Sequence, residues 1–120
     1  MEKNIVIIDD EQNILSTLDR FLTRTGLYNV TTFHNPLVAL ESIPLNTDMI
    51  LLDVMMPQIN GIDLLPKLKE RYPSVKVVIM TAYSTFDTVL NAQRLGASDY
   101  IMKPFKSLND VANKIKIVLE

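Results

Sequence analysis

The stretch Met49-Ile50-Leu51-Leu52-Asp53-Val54-Met55-Met56-Pro57 decides how the rest of the chain is read. Large apolar side chains run without interruption and stop at a carboxylate, and a proline follows shortly after. A short, uniformly apolar run bounded by turn residues predicts a strand buried on both faces, as in the middle of a parallel sheet. In open α/β sheets the carboxyl ends of such strands face the ligand crevice. Asp53 is therefore expected at that edge.

Upstream, Ile5-Val6-Ile7-Ile8 repeats the design and stops at Asp9-Asp10, which predicts a second buried strand. From Glu11 the period lengthens: Ile14, Leu15, Leu18, Phe21 and Leu22 fall on one helical face, and Gly26 supplies the stop. Asn29 to Phe33 reads as a shorter strand rich in Val and Thr. Pro36 then opens a brief helix carrying Leu37, Leu40 and Ile43, which Pro44 closes.

Downstream, Pro57-Gln58-Ile59-Asn60-Gly61 has strong turn chemistry. Ile62, Leu65, Leu68 and Tyr72 line the next helix, which Pro73 ends. Pro66 inside it lacks an N–H, which predicts a late start or a local distortion. Val75 to Met80 is a strand ending at Thr81-Ala82. A helix through Phe86, Val89, Leu90 and Gln93 ends at Gly96, and the strand Tyr100-Ile101-Met102 runs into Lys103-Pro104. The last helix, with Ser107 as N-cap, turns Leu108, Val111, Ala112, Ile115, Val118 and Leu119 to the core. Five strands alternating with five helices predict an α/β doubly wound parallel sheet in one domain, residues 1–120.

Composition narrows the function. With 12 Lys and Arg against 14 Asp and Glu, the net charge is −2, which argues against direct nucleic-acid binding. No cysteine is present, so disulfides and thiolate metal sites are excluded. The apolar run before Asp9 is too short for a signal-peptide core or a membrane span. The expectation is a soluble cytoplasmic protein with no membrane contact.

The polar residues at the strand ends carry the chemistry. Asp9 and Asp10 end the first strand, Asp53 the third, Thr81 the fourth and Lys103 the fifth, so the topology brings them to one edge. Singly, each has an ordinary explanation: an Asp caps a helix, a Thr makes a turn, a Lys is solvated. Their coincidence at successive strand ends is harder to explain that way. Three carboxylates in one crevice call for protonation or a cation. A hard divalent ion with oxygen ligands suits them, Mg²⁺ before others, whereas the solitary, distant His34 speaks against zinc. With charge neutralised, Asp53 could attack phosphorus as a carboxylate nucleophile, with Lys103 and the Thr81 hydroxyl binding the remaining phosphoryl oxygens.

At this point the residues resemble the receiver domains of bacterial two-component response regulators. The resemblance rests on Ile8-Asp9-Asp10-Glu11, Leu51 to Pro57, Asn60-Gly61, Met80-Thr81-Ala82, Gly96 to Tyr100 and Lys103-Pro104-Phe105. It implies a flavodoxin-like sheet of order 2-1-3-4-5. It also implies Asp53 as phosphoacceptor, and Asp9, Asp10, Asp53 and the Met55 carbonyl as ligands of Mg²⁺, with Mn²⁺ as a substitute. Thr81 would be the switch hydroxyl, Tyr100 the aromatic that turns inward with it, and Lys103 the phosphate-binding cation after a cis Lys–Pro peptide. Tyr100 also fits a simply packed edge-strand aromatic. Met55 and Tyr83 stand where receivers vary and set the phosphoryl lifetime; neither orients water, so slow autodephosphorylation is expected.

The implied partners are a sensor histidine kinase or phosphotransfer protein as donor, either an output domain beyond this chain or none where the receiver acts alone, and a homodimer formed on phosphorylation. Phe86, Tyr100, Ile101 and Lys106 are the candidate contacts of a readout face built from the fourth helix, fifth strand and fifth helix. Met80 to Asp87 looks most like receivers of AAA+ transcriptional activators or phosphorelays. Two other functions compete. A Mg²⁺-dependent phosphohydrolase would want a general acid where Met55 stands. A nucleotide- or flavin-binding module would want a glycine-rich loop, and neither G-x-G-x-x-G nor G-x-x-x-x-G-K-[ST] occurs.

Overall fold

The computed structural model describes residues 2–82 and 85–120. Strands β1 (Lys3–Ile8), β2 (Tyr28–Phe33), β3 (Met49–Asp53), β4 (Lys76–Thr81) and β5 (Asp99–Met102) pair in parallel in the order β2-β1-β3-β4-β5. This is the flavodoxin-like order. Each strand returns through a helix: α1 (Gln12–Arg24), α2 (Pro36–Ser42), α3 (Gly61–Arg71), α4 (Phe86–Arg94), with α5 (Leu108–Leu119) closing the chain.

The alternation of side chains along β1 and β3 sorts the core into two layers. Val6, Ile8, Ile50 and Leu52 pack with Ala39 of α2, Leu64, Leu65 and Leu68 of α3 and Ala92 of α4. Ile5, Ile7, Met49 and Leu51 pack with Leu15, Leu18 and Leu22 of α1 and Val111 and Ile115 of α5. Covering on both sides explains why β3 tolerates no polar residue before Asp53: Met49 to Leu52 are each 0% exposed. Burying one such side chain contributes about 1.5–3 kcal/mol. Register aligns the strand ends, with Ile8 opposite Leu52, Asp53 opposite Met80 and Thr81 opposite Met102.

Local chemistry starts the helices where polar side chains accept the free N–H groups of the first turn. Asn35 accepts from Leu37 and Val38, Asn60 from Ile62, Thr85 from Thr88 and Ser107 from Asp110. Gly26, at φ 75°, lets the chain leave α1.

Several expectations need correcting. Pro66 neither delays nor interrupts α3, which runs unbroken from Gly61. Its ring is exposed and it costs one N–H, while Leu64, Leu65 and Leu68 hold the inner face. Leu37 is 50% exposed, because Pro36, Ala39 and Ile43 occupy the inner positions of that short segment. Phe86 is 79% exposed: it directly follows the cap residue Thr85, and Ala92 is the buried residue of α4. Gln93 likewise faces solvent. Val75 precedes β4 rather than opening it, and β2 and β5 each begin one residue earlier than expected.

Candidate functional site

Asp9 follows β1 directly and is 0% exposed. Its Oδ1 accepts the Glu11 N–H at 2.9 Å and its Oδ2 accepts Lys103 Nζ at 2.7 Å. Asp53, the last residue of β3 and 3% exposed, accepts the same ammonium at 3.1 Å through Oδ1. Lys103 reaches them from the residue after β5, where its N–H donates to the Thr81 carbonyl at 2.9 Å and its peptide to Pro104 is cis. Thr81 ends β4 and is 1% exposed. Asp10 lies on the exposed side of the same cluster. One carboxylate oxygen from each of Asp9, Asp10 and Asp53 lies within 4.8 Å of the others.

The tip of β3 is tied down from two directions. The Val54 N–H donates to the Met80 carbonyl at 3.1 Å, and the Gly61 N–H donates to the Val54 carbonyl at 2.7 Å. A side chain at Gly61 would collide with the Asp53 carbonyl oxygen and stand 2.9 Å from Val54 Cα. Glycine is required here because α3 begins against the backbone that carries Asp53.

Electrostatics show a cluster short of positive charge. Burial, and then the charge of Asp9, push the Asp53 carboxyl up from 3.8 to about 7; Lys103 opposes the shift and the Asp10 carboxyl adds to it. For Lys103 burial favours the neutral amine, but Asp9 and then Asp53 outweigh it and leave the ammonium pKa raised. A single ammonium thus fails to satisfy three carboxylates. Their oxygen donor set fits a hard divalent cation, which takes carboxylate oxygens in preference to nitrogen or sulfur.

The structure therefore brings together Asp9, Asp10, Asp53, Thr81 and Lys103. Met55 stands beyond the strand tip with its side chain 57% exposed. Tyr83 lies outside the described residues. Tyr100 is half-buried against the α2–α3–α4 layer, with Lys114 Nζ 5.5 Å from its ring centroid. Ile101, expected as a surface contact, is only 8% exposed and belongs to the α1–α5 layer, while its neighbour Met102 is 52% exposed. Two further participants carried signals in the sequence. Glu11, the third residue of Asp9-Asp10-Glu11, approaches Lys103 Nζ at 3.7 Å. Gly61 read as turn chemistry, but its role is close approach to the β3 tip.

Comparison with known proteins agrees with this geometry. Residues 5–116 match the family model of the response regulator receiver domain. The chain is 41% identical over 107 residues to the DNA-binding transcriptional regulator NtrC of Escherichia coli K12, covering 88% of this chain and 23% of that protein. That similarity agrees with the activator-like stretch from Met80 to Asp87. A CheY-like receiver domain protein from Methanospirillum hungatei JF-1 superposes with a TM-score of 0.88 at 30% identity, covering 99% of this chain and 94% of that one. The beryllofluoride-activated NtrC4 receiver domain dimer superposes equally well, at 0.88 and 31% identity, covering 97% and 95%. The chain spans less than a quarter of the NtrC length, and over that span sequence, fold and strand-end chemistry converge: it belongs to the response regulator receiver domains of two-component signalling systems.

Proposed function

We propose that Asp53 accepts a phosphoryl group from the phosphohistidine of a sensor histidine kinase or phosphotransfer protein. The observation that carries this reading is the ammonium of Lys103 held between buried Asp9 and Asp53. An Asp53 carboxylate oxygen forms the bond to phosphorus while the donor's P–N bond breaks, and the released imidazole takes its proton from solvent. Lys103 keeps a positive charge beside the oxygen that gains the group, and the Thr81 hydroxyl meets the phosphoryl oxygens from β4. Mg²⁺, or Mn²⁺ in its place, held by Asp9, Asp10, Asp53 and the Met55 carbonyl, would supply charge neutralisation to the incoming phosphoryl oxygens. The raised pKa of Asp53 supports this requirement: without added positive charge the nucleophile is partly protonated near neutral pH.

Phosphorylation then redistributes two populations of the domain. Thr81 and Tyr100 serve as the switch, and the readout face is formed by α4, β5 and α5 with Phe86, Tyr100 and Lys106, Met102 taking the surface position that buried Ile101 does not. The signal passes to an output domain, and the NtrC4 receiver dimer supports a phosphorylation-linked homodimer for this chain too. Autodephosphorylation is slow, because the exposed Met55 side chain offers neither carboxylate nor amide to orient water. Met55→Asn and Tyr83→Glu should both speed decay of the acyl phosphate.

The test is incubation with Mg²⁺ and a small phosphodonor, followed by intact-mass measurement. One acid-stable, base-labile phosphoryl group per chain, absent in Asp53→Asn, is the expected result. Continuous release of phosphate from free substrates without an accumulating adduct would instead favour the phosphohydrolase.

A further inference from the structure

Lys103 has a third carboxylate neighbour that the phosphoryl chemistry leaves unexplained. A Glu11 oxygen lies 3.7 Å from its Nζ, outside the contacts to Asp9 at 2.7 Å and Asp53 at 3.1 Å. The Glu11 side chain is 63% exposed, so as an ion pair it contributes little to stability. Nor does it serve the helix it precedes: it occupies the N-cap position of α1 but makes no side-chain cap hydrogen bond. What it does occupy is the wall of a hollow of about 500 Å³ that leads to Lys103, with Ile14, Pro104, Phe105 and Leu108 as apolar lining. Among the described residues around this hollow, Lys103 is the cation and Glu11 the carboxylate.

Charge balance gives that position its meaning. Asp9, Asp10 and Asp53 are offset once a divalent cation joins Lys103, and Glu11 is then the charge left over on the wall of the hollow beside Lys103. Resting on the phosphoacceptor reading above, we infer that Glu11 is a specificity-determining residue that selects phosphodonors by charge. It disfavours small anions that would reach Lys103 through the hollow. A protein donor escapes the penalty by setting a cation against Glu11 as it docks. The repulsion scales with donor charge, and at exposed separations of several ångströms in a water-like dielectric it amounts to about three- to tenfold in rate per unit charge. Salt weakens it.

Two donors of different charge provide the test. Near neutral pH acetyl phosphate carries one more negative charge than phosphoramidate. Phosphorylation rates of the full chain with Mg²⁺ should rise in Glu11→Gln for both donors, but about three- to tenfold more for acetyl phosphate, with the gain shrinking at high salt. Glu11→Asp should keep the wild-type ratio of the two rates. Equal acceleration of both donors, or an unchanged ratio, overturns the inference. A binding readout checks it independently of turnover: inorganic phosphate, titrated while the backbone amides of Thr81 and Lys103 are followed by NMR, should bind several-fold more tightly to Glu11→Gln. Equal affinity in the two proteins also overturns it. Absence of any Asp53 adduct in the wild type with either donor refutes the phosphoacceptor reading, and the inference falls with it. A labelled wild type with a ratio indifferent to Glu11 refutes the inference alone.

Discussion

Asp9, Asp53 and Thr81 sit at the ends of strands whose apolar residues are sealed, whereas Lys103 and the helix that follows Thr81 belong to a half of the molecule that is thinly covered. Ile5 to Ile8 and Met49 to Leu52 are each at most 1% exposed. On the other side β5 has four residues with Ile101 buried, and α4 turns Ala92 inward while Phe86 is 79% exposed. Fewer buried apolar contacts mean cheaper local opening. The proposed nucleophile is thus fixed by the rigid half, and the proposed readout belongs to the half that rearranges at lower cost.

The contrast breaks most directly through core truncation. Leu52→Ala should cost about 3–5 kcal/mol and Ile101→Ala about 2 kcal/mol, measured by urea unfolding; equal losses would erase the distinction. Two glycines probe the strand tip next. Gly61→Ala forces the β3 end aside and should cost about 2 kcal/mol and slow phosphorylation of Asp53, because the collision is with backbone. Gly26→Ala meets nothing within 4 Å, so only its backbone preference is lost, about 1 kcal/mol, with phosphorylation unaffected.

Smaller effects sharpen the comparison. In chelator, the Asp53 carboxyl has a folded pKa of about 7 against an ordinary 3.8. The folded chain holds the extra proton between those values, so this contribution is fully present below about pH 4 and is lost as pH rises through about 7. Since Lys103 beside it still stabilises the carboxylate, the expected loss is about 1–2 kcal/mol. Asp53→Asn should flatten that slope in thermal unfolding, and excess Mg²⁺ should oppose it in the wild type. Least of all, Lys114→Met removes an ion pair to Asp99 at 3.1 Å and the contact with the Tyr100 ring, for about 0.5 kcal/mol. Hydrogen exchange in that variant should rise in β5 and leave β3 unchanged.

The sealed half was legible because continuous apolar runs have one good solution. Met49 to Asp53 forms β3 with the expected bounds, and the edge holding Asp9, Asp53, Thr81 and Lys103 follows from counting strands. The thin half was harder. Its helix α4 is partly exposed, so Phe86 misleads while small Ala92 fills the inner position; on the other side the short α2 misleads in the same way, with Leu37 exposed and small Ala39 buried close to the sheet. Pro66 misled for another reason: a local rule about one N–H yields to the burial of Leu64, Leu65 and Leu68. Glu11 gave no sign of its partner, since its meeting with Lys103 is made through space by strand order alone.

That same strand order sets a schedule for synthesis. Lys103 lies 50 residues after Asp53 and 94 after Asp9. At about 5–20 residues per second, the ribosome releases both carboxylates several seconds before the ammonium that joins them. The nascent chain can assemble β1 and β3 early, but it carries their end charges unbalanced until β5 arrives. The last strand therefore acts as an electrostatic clasp, closing a pocket whose walls were translated long before it.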